Sequence, residues 1–125
     1  VNIKPRHIIF ASAMRPVILV LDGEPLYIKG NRSSVGGESV IEKYFDDQEY
    51  YLNDGDTMYL FSDGLPDQFG GKDGKKMKIA RLKKLIEDVS GLSMEGQKEV
   101  ITKFYDEWKG EYEQVDDILL IGVRL

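Results

Sequence analysis

The sequence predicts an α+β domain in which antiparallel β-strands are flanked by two α-helices. Two observations support this class. Apolar segments rich in β-branched and aromatic residues, separated by turn residues, occupy the first half of the chain and return at its end. Between them, apolar residues recur at helical spacing in two segments. Strands followed by helices and a final strand are typical of α+β proteins rather than of strictly alternating βαβ units.

The first strands are predicted at His7–Phe10 and Val17–Leu21, which consist largely of β-branched, aromatic and other apolar residues. The Asp22-Gly23 pair that follows is a strong signal for a tight hairpin turn. The polar, glycine-containing segment Gly30–Val40 is predicted to be a loop. A short strand, an Asn-Asp-Gly-Asp turn and a strand over Thr57–Ser62 then follow.

The helical period begins after a Gly-Gly pair. The first helix has its apolar residues at helical spacing and is expected to stop near Gly91; these residues are Ile79, Leu82, Leu85, Ile86 and Val89. A second helix is predicted after Ser93, with Val100, Ile101, Phe104 and Trp108 on its apolar face. The segment Ile118–Leu125 closes the chain as a strand, and its nearly continuous apolar character predicts that it is well buried.

Composition narrows the function classes. The chain of 125 residues is long enough for one domain or part of one, and its start at Val1 suggests a piece of a longer chain. The absence of cysteine excludes disulfides, thiolate metal sites and a cysteine nucleophile. The net charge of -5 disfavours binding to nucleic acid. No apolar segment suits a membrane span, so we predict no membrane contact and a cytoplasmic location.

Carboxylates stand at the ends of the two most apolar strands. Asp63 ends the Thr57–Ser62 strand, and Asp116 and Asp117 precede the last one. If these strands are antiparallel neighbours, Asp63 and one residue of the pair meet at one edge of the sheet. Carboxylates that close share a proton or bind a hard cation such as Mg²⁺ or Mn²⁺. The alternative is ordinary turn chemistry, since Asp-Gly and Asp-Asp pairs are also common in solvated loops.

The segments "LFSDGLPDQFGG" and "EQVDDILLIGVRL" together resemble the metal-dependent serine/threonine phosphatases of the PPM superfamily. The likeness is strongest to the bacterial branch named for sporulation stage II protein E, and "FASAMRPVILVLDGE" resembles a strand and hairpin of that branch. The resemblance implies the C-terminal part of one phosphatase domain over residues 1–125. It also implies a complete fold of two stacked sheets between helices, an α-β-β-α sandwich.

The resemblance also implies an activity and a site. Members of this family hydrolyse phosphoserine or phosphothreonine in a signalling protein with a water activated by two Mn²⁺ or Mg²⁺ ions. Asp63 and Asp116 match metal-binding, catalytic aspartates, Gly64 matches the glycine of the sharp turn, and Asp117 matches a residue that orients the site. An upstream metal aspartate of the family has no counterpart here, so the chain alone is expected to be inactive. The alternative is a non-catalytic pseudophosphatase module that binds a partner.

The segment Lys72–Lys84 carries seven Lys or Arg in an otherwise acidic chain. We predict that Lys76, Lys83 and Lys84 face a phosphorylated protein substrate, because clustered charge attracts an acidic partner. The alternative is a solvated helix face without a partner. A homodimer is a further expectation, since missing partner strands would leave a sheet edge uncovered.

Overall fold

The computed structural model describes residues 6–12, 14–31 and 47–125. It confirms the α+β class, with antiparallel strands and three helices in the described part of the chain. In chain order the elements are β1 (Arg6–Phe10), β2 (Val17–Leu21), β3 (Glu24–Ile28), β4 (Gln48–Leu52), β5 (Thr57–Phe61), α1 (Gly64–Asp67), β6 (Phe69–Gly70), β7 (Lys75–Lys76), α2 (Lys78–Val89), α3 (Met94–Lys109) and β8 (Leu120–Arg124).

The main sheet has four antiparallel strands in the order β3-β2-β5-β8. A separate antiparallel pair joins β1 to β4, and β6 with β7 forms a short hairpin. The predicted turn at Asp22-Gly23 is confirmed, because both residues have positive φ (49° and 78°) and connect paired β2 and β3. The loop predicted over Gly30–Val40 lies outside the described residues beyond Asn31.

One face of the main sheet is covered by α2 and α3, as the helical periods predict. Ile18 and Tyr59 from the sheet share a buried cluster with Leu82 and Ile86 of α2, all at most 1% exposed. The start of α3 is fixed by Ser93, whose side chain accepts a hydrogen bond from the Gly96 backbone N–H at 3.1 Å. These contacts make the helices and the main sheet one packed unit.

The other face of the main sheet is covered in part by β1 and β4. Val17, Leu19, Ile28 and Leu52 form the buried centre of this second cluster. Side chains nearer to β8 on this face remain open to solvent, since Leu60, Ile121 and Val123 are each about two-fifths exposed. The sheet therefore buries one face more completely than the other.

Two burial predictions are wrong. The last strand is not well buried: β8 is the edge strand of the main sheet, and none of its residues is fully buried. Its apolar character matches a face that no described element covers. Val100, which the sequence predicts on the apolar face of the second helix, is 41% exposed, while Gln97 is the buried residue of α3. Gln97 is buried because its side chain accepts a hydrogen bond from the Tyr59 hydroxyl.

Candidate functional site

The candidate site lies where β5 ends beside the approach to β8. The two strands are antiparallel, with Phe61 opposite Leu120, as the sequence analysis required. Ser62 extends the junction beyond the regular pairing: its backbone N–H donates to the Leu119 carbonyl at 3.0 Å, and its hydroxyl donates to the Asp117 carbonyl at 2.8 Å. The same hydroxyl accepts from the Leu119 N–H at 2.9 Å. Residues 62–64 and 117–119 therefore form one fixed strand junction.

Gly64 allows this junction to close. A Cβ atom built on Gly64 would overlap the carbonyl oxygen of Asp117, so the backbones approach more closely than any other residue would allow. Gly64 and Leu65 are buried at the start of α1, directly after Asp63. Gly64 does not have positive φ, so the glycine is required here by the close approach of the Asp117 backbone, and its predicted role in a sharp turn stays a prediction.

Asp63 projects from the junction towards solvent and is paired with Arg15. The Asp63 Oδ2 and Arg15 Nη1 atoms are 2.5 Å apart, and both side chains are about half exposed. This hydrogen bond is the main cause that lowers the pKa of the Asp63 carboxyl below its ordinary value. The charge at the end of this core strand is therefore exposed and is neutralised by a guanidinium.

Arg15 is held by backbone contacts in the segment between β1 and β2. The Asn31 N–H donates to the Ser12 carbonyl at 2.7 Å, and the Met14 N–H donates to the Asn31 carbonyl at 2.6 Å. A Cβ atom built on Gly30 would lie only 2.7 Å from the Arg15 carbonyl oxygen, so Gly30 lets the two backbones pack closely. Arg15 was not identified from the sequence, because forty-seven intervening residues separate it from Asp63. The only sequence signal was its place beside Pro16 in the strand-and-hairpin segment of the resemblance.

Asp116 and Asp117 are both exposed at the same junction. The Asp116 charge contributes, after that of Asp63, to raising the pKa of Arg15, so both carboxylates act on one guanidinium. Asp116 Oδ1 also accepts the Asp117 backbone N–H at 2.8 Å, which fixes the start of the segment. Asp117 meets Gly64 through its backbone. The structure therefore groups Asp63 and Asp116 electrostatically and gives Asp117 a backbone role.

The donor chemistry of this edge suits a hard cation. Asp63 and Asp116 supply carboxylate oxygens, the ligands that Mg²⁺ and Mn²⁺ prefer. Within residues 6–12, 14–31 and 47–125, however, no group of three or more carboxylate or histidine side chains is arranged for a metal ion. The two aspartates thus fit as part of a ligand set, and Arg15 supplies the positive charge opposite Asp63 in this structure.

A cleft of about 710 Å³ opens beside the strand junction. Its lining includes Arg15, Asp63 and Asp67, together with Lys78 at the start of α2. Met14 also lines it. Both Met14 and Lys78 have positive φ (59° and 65°), a conformation that is uncommon for residues other than glycine. Such outliers concentrate at functional sites, which supports a ligand-binding role for this cleft.

The three predicted substrate-facing lysines do not form one group. Lys76 lies in β7 and pairs with Asp67 at 3.5 Å, which brings it to the side of the cleft. Lys84 lies in α2 and pairs with Asp88 at 2.7 Å, one helical turn away. Neither Lys83 nor Lys84 lines the cleft that contains Asp63. Among the described residues, Lys78 is the lysine that lines the cleft with Asp63, and no sequence pattern distinguishes it from the neighbouring lysines.

The comparisons with known proteins agree with this architecture. The family model for Stage II sporulation protein E (SpoIIE) matches residues 1–125. The solved structure of the SiaA-PP2C domain of Pseudomonas aeruginosa matches with a TM-score of 0.84 and 30% sequence identity. The match covers 96% of this chain and 46% of that one, so the chain spans about half the length of the matched structure. No curated protein gives a significant sequence match. No described helix could cross a membrane.

The family match covers the whole chain, and the fold is that of a phosphatase-type domain. The chain belongs to the SpoIIE family.

Proposed function

We propose that this chain supplies half of the active site of a metal-dependent protein phosphatase that hydrolyses phosphoserine or phosphothreonine in a signalling protein. The observation that carries the proposal is the pair of Asp63 and Arg15 in the lining of one cleft, with Asp116 near enough for its charge to act on the same guanidinium. Membership of the SpoIIE family and the likeness to a PP2C domain support the phosphatase class. The complete protein would hold two Mn²⁺ or Mg²⁺ ions and act in the cytoplasm.

In this proposal, side chains of the strand junction bind the cation and backbone groups position them. Asp63 and Asp116 would hold a divalent cation through their carboxylate oxygens, while Gly64 and the Asp117 backbone fix the distance between the two segments. Bound divalent ions would supply a water of lowered pKa and neutralise charge on the phosphoryl group. The remaining ligands come from residues beyond this pair, since the described residues form no larger ligand group.

Arg15 is proposed to contact the phosphate. Its guanidinium stays charged at all relevant pH values and matches the geometry of phosphate oxygens. Asp63 cannot give the same oxygen fully to Arg15 and to a metal ion. Use of Asp63 as a ligand therefore frees N–H donors of Arg15, which already lines the cleft, for a phosphate group.

The test replaces each ligand in the full-length protein. Asp63→Asn and Asp116→Asn should each lower Mn²⁺-dependent hydrolysis of a phosphopeptide by at least about 100-fold, because removal of a metal ligand costs the metal and the poised water. Asp106→Asn, on the exposed side of α3, makes the same charge change away from the strand junction and should leave turnover within about twofold, as exposed substitutions usually do.

Circular dichroism of the three variants serves as the folding control. Near-normal turnover by folded Asp63→Asn protein would contradict the assignment of Asp63 as a ligand. An equal loss in Asp106→Asn would show that net charge, rather than the strand junction, governs activity.

A second candidate is a pseudophosphatase that binds a partner without catalysis. The Arg15–Asp63 ion pair favours this second function, because the guanidinium already neutralises the Asp63 carboxylate. In addition, the described residues contain no group of three possible metal ligands. Direct Mn²⁺ binding by the full-length protein discriminates the two. Submillimolar Mn²⁺ binding with turnover supports the phosphatase, whereas phosphoprotein binding without Mn²⁺ binding or turnover supports the second function.

A further inference from the structure

A second cleft adjoins the first one, and most of its charged lining residues are basic. This basic cleft has a volume of about 550 Å³, and its charged lining residues comprise five bases and one acid: Lys72, Lys75, Lys76, Lys78, Arg81 and Asp73. The chain as a whole carries a net charge of -5, so this surface opposes the average charge of the molecule. A concave surface with one sign of charge concentrates ligands of the opposite sign.

The β6–β7 hairpin that carries the cleft is firmly attached to α3. The Gly71 N–H donates to the Trp108 carbonyl at 2.9 Å, and the Trp108 indole N–H donates to the Gln68 carbonyl at 3.0 Å. A Cβ on Gly70 would overlap the Trp108 carbonyl oxygen. The Arg81 guanidinium lies 4.2 Å from the centre of the Trp108 ring. The contacts with α3 therefore hold the basic side chains of the hairpin in a fixed position.

The positive charge of this cleft is only partly neutralised. Lys76 has Asp67 as its partner at 3.5 Å. For Lys72, Lys75 and Lys78, no ion pair forms with any residue in the described part of the chain. Clustering bases without acids costs electrostatic free energy unless a ligand supplies negative charge.

The positive charge at the start of α2 is also unfavourable for the helix itself. Basic side chains stand at the start of α2, where a helix favours negative charge, and its first turn has no acidic residue. Local rules are broken in this way most often at functional sites. These facts weigh against an ordinary solvated surface, in which bases and acids are interspersed.

Lys78 connects the basic cleft to the candidate active site, because it lines both clefts. A peptide bound with its phosphorylated residue beside Asp63 and Arg15 would pass Lys78 and reach the bases of the hairpin. Of the two lysines on α2 that the sequence analysis selected, neither lines this path.

We propose that the basic cleft binds acidic residues flanking the phosphorylated residue of the substrate, so that the protein selects phosphopeptides with acidic flanks. This inference rests on the proposed phosphatase function and specifies its substrate class. The negative occupant is a peptide because the cleft continues into the site proposed for the phosphorylated side chain.

The test measures binding without turnover. The full-length protein in EDTA is titrated against two fluorescent phosphopeptides, one with Asp and Glu flanks and one with Asn and Gln in their place. Wild type should prefer the acidic peptide, and high salt should reduce that preference because exposed charges are screened. The double variant Lys72→Glu/Lys75→Glu should bind the acidic peptide about tenfold more weakly, because two exposed charge contacts are lost. Its affinity for the amide peptide should change by less than about twofold.

The double variant Lys83→Glu/Lys84→Glu is the matched control. It reverses two lysine charges as well, but these lysines lie on α2 and line neither cleft. It should alter binding of either peptide by less than about twofold, as surface charges of this kind contribute little. If thermal melting shows that a reversal variant is destabilised, Lys72→Gln/Lys75→Gln provides the same comparison with a smaller change. Loss of the acidic preference in that folded variant equally supports the proposal.

Three results overturn the inference: equal losses for both peptides, an equal effect of the control pair, or no preference in wild type. Preferential binding of a single-stranded oligonucleotide or of phosphatidylserine vesicles through Lys72 and Lys75 also overturns it. A protein that hydrolyses both peptides without preference refutes this inference alone. A protein that binds acidic phosphopeptides through the cleft but hydrolyses none refutes the proposed function alone.

Discussion

The acidic strand junction and the basic cleft share one kind of backbone packing but differ in how their charges are compensated. In each, a glycine lets one backbone approach a carbonyl oxygen that any Cβ would strike: Gly64 against Asp117, and Gly70 against Trp108. At the strand junction the charge of Asp63 is compensated within the chain by Arg15. In the basic cleft Lys72, Lys75 and Lys78 have no such partner among the described residues.

The difference shows how the two regions would respond to ligands. A cation at the strand junction must compete with Arg15, so binding there exchanges one positive charge for another. An anion in the basic cleft meets unpaired charge and displaces only water and mobile ions. Mutations that damage one region and spare the other therefore test whether the two are separate parts of one site.

The largest effect is expected from the core that both regions share. Leu82 is fully buried between α2 and the main sheet. Leu82→Ala should lower the free energy of unfolding by about 2–5 kcal/mol, because it leaves a cavity in that core. Chemical denaturation measures this loss. Exposed Leu92→Ala is the control, and an equally small change in both variants would contradict the packing described for α2.

The next largest effect should break the strand junction alone. Gly64→Ala in the full-length protein places a Cβ onto the Asp117 carbonyl, so Mn²⁺-dependent turnover should fall by at least about 100-fold, as expected when ligand geometry is lost. Gly91→Ala is the matched control, because a Cβ there meets no atom within 4 Å. Full activity of Gly64→Ala would show that the close approach does not position the site.

Gly70→Ala should disturb the basic cleft in the corresponding way. The added Cβ pushes the hairpin away from Trp108, so binding of an acidic phosphopeptide should weaken by about tenfold, the size expected for a few displaced charge contacts. Hydrolysis of a small phenyl phosphate, which does not reach the hairpin, should stay within about twofold on the same grounds. If both substrates lose rate equally, the two regions cannot be separated in this way.

The smallest effect is expected on Mn²⁺ binding by the Arg15→Gln variant. Removing the competing guanidinium should tighten Mn²⁺ binding by about threefold, since exposed ion pairs contribute well under 1 kcal/mol. Asp63 stays ionised at pH 7 with or without Arg15, because an unperturbed aspartate has a pKa near about 4. Arg6→Gln, which breaks the exposed pair with Asp54, is the control. Weaker Mn²⁺ binding in Arg15→Gln would contradict the competition.

Much of the fold could be predicted from local patterns. Residue period and turn chemistry located β2, β5, α2 and α3, and Asp22-Gly23 fixed the first hairpin. The burial of β8 could not be predicted, because an apolar sequence does not reveal whether another element covers it. The β6–β7 hairpin depends on contacts with Trp108, and neither this hairpin nor the short α1 has a periodic pattern in the sequence.

The candidate site was predictable only where strand ends define it. Antiparallel pairing of two apolar strands was enough to bring Asp63 towards Asp116. Arg15 joins them through the tertiary fold, so no local pattern indicated it. The basic segment was recognised by its charge, but separating Lys75 and Lys78 from Lys83 and Lys84 required the bend between the hairpin and α2.

The central claim is that Asp63 and Asp116 form part of a metal site, and a Mn²⁺ titration of residues 1–125 tests it most directly. The account predicts a single weak site, with a dissociation constant of about 1 mM or weaker, as expected for a hard ion held by two carboxylates and water. This binding should disappear in Asp63→Asn and persist in Asp106→Asn, and the chain alone should show no phosphatase activity. Manganese binding that is unchanged in folded Asp63→Asn, or robust turnover by residues 1–125 alone, would contradict the account.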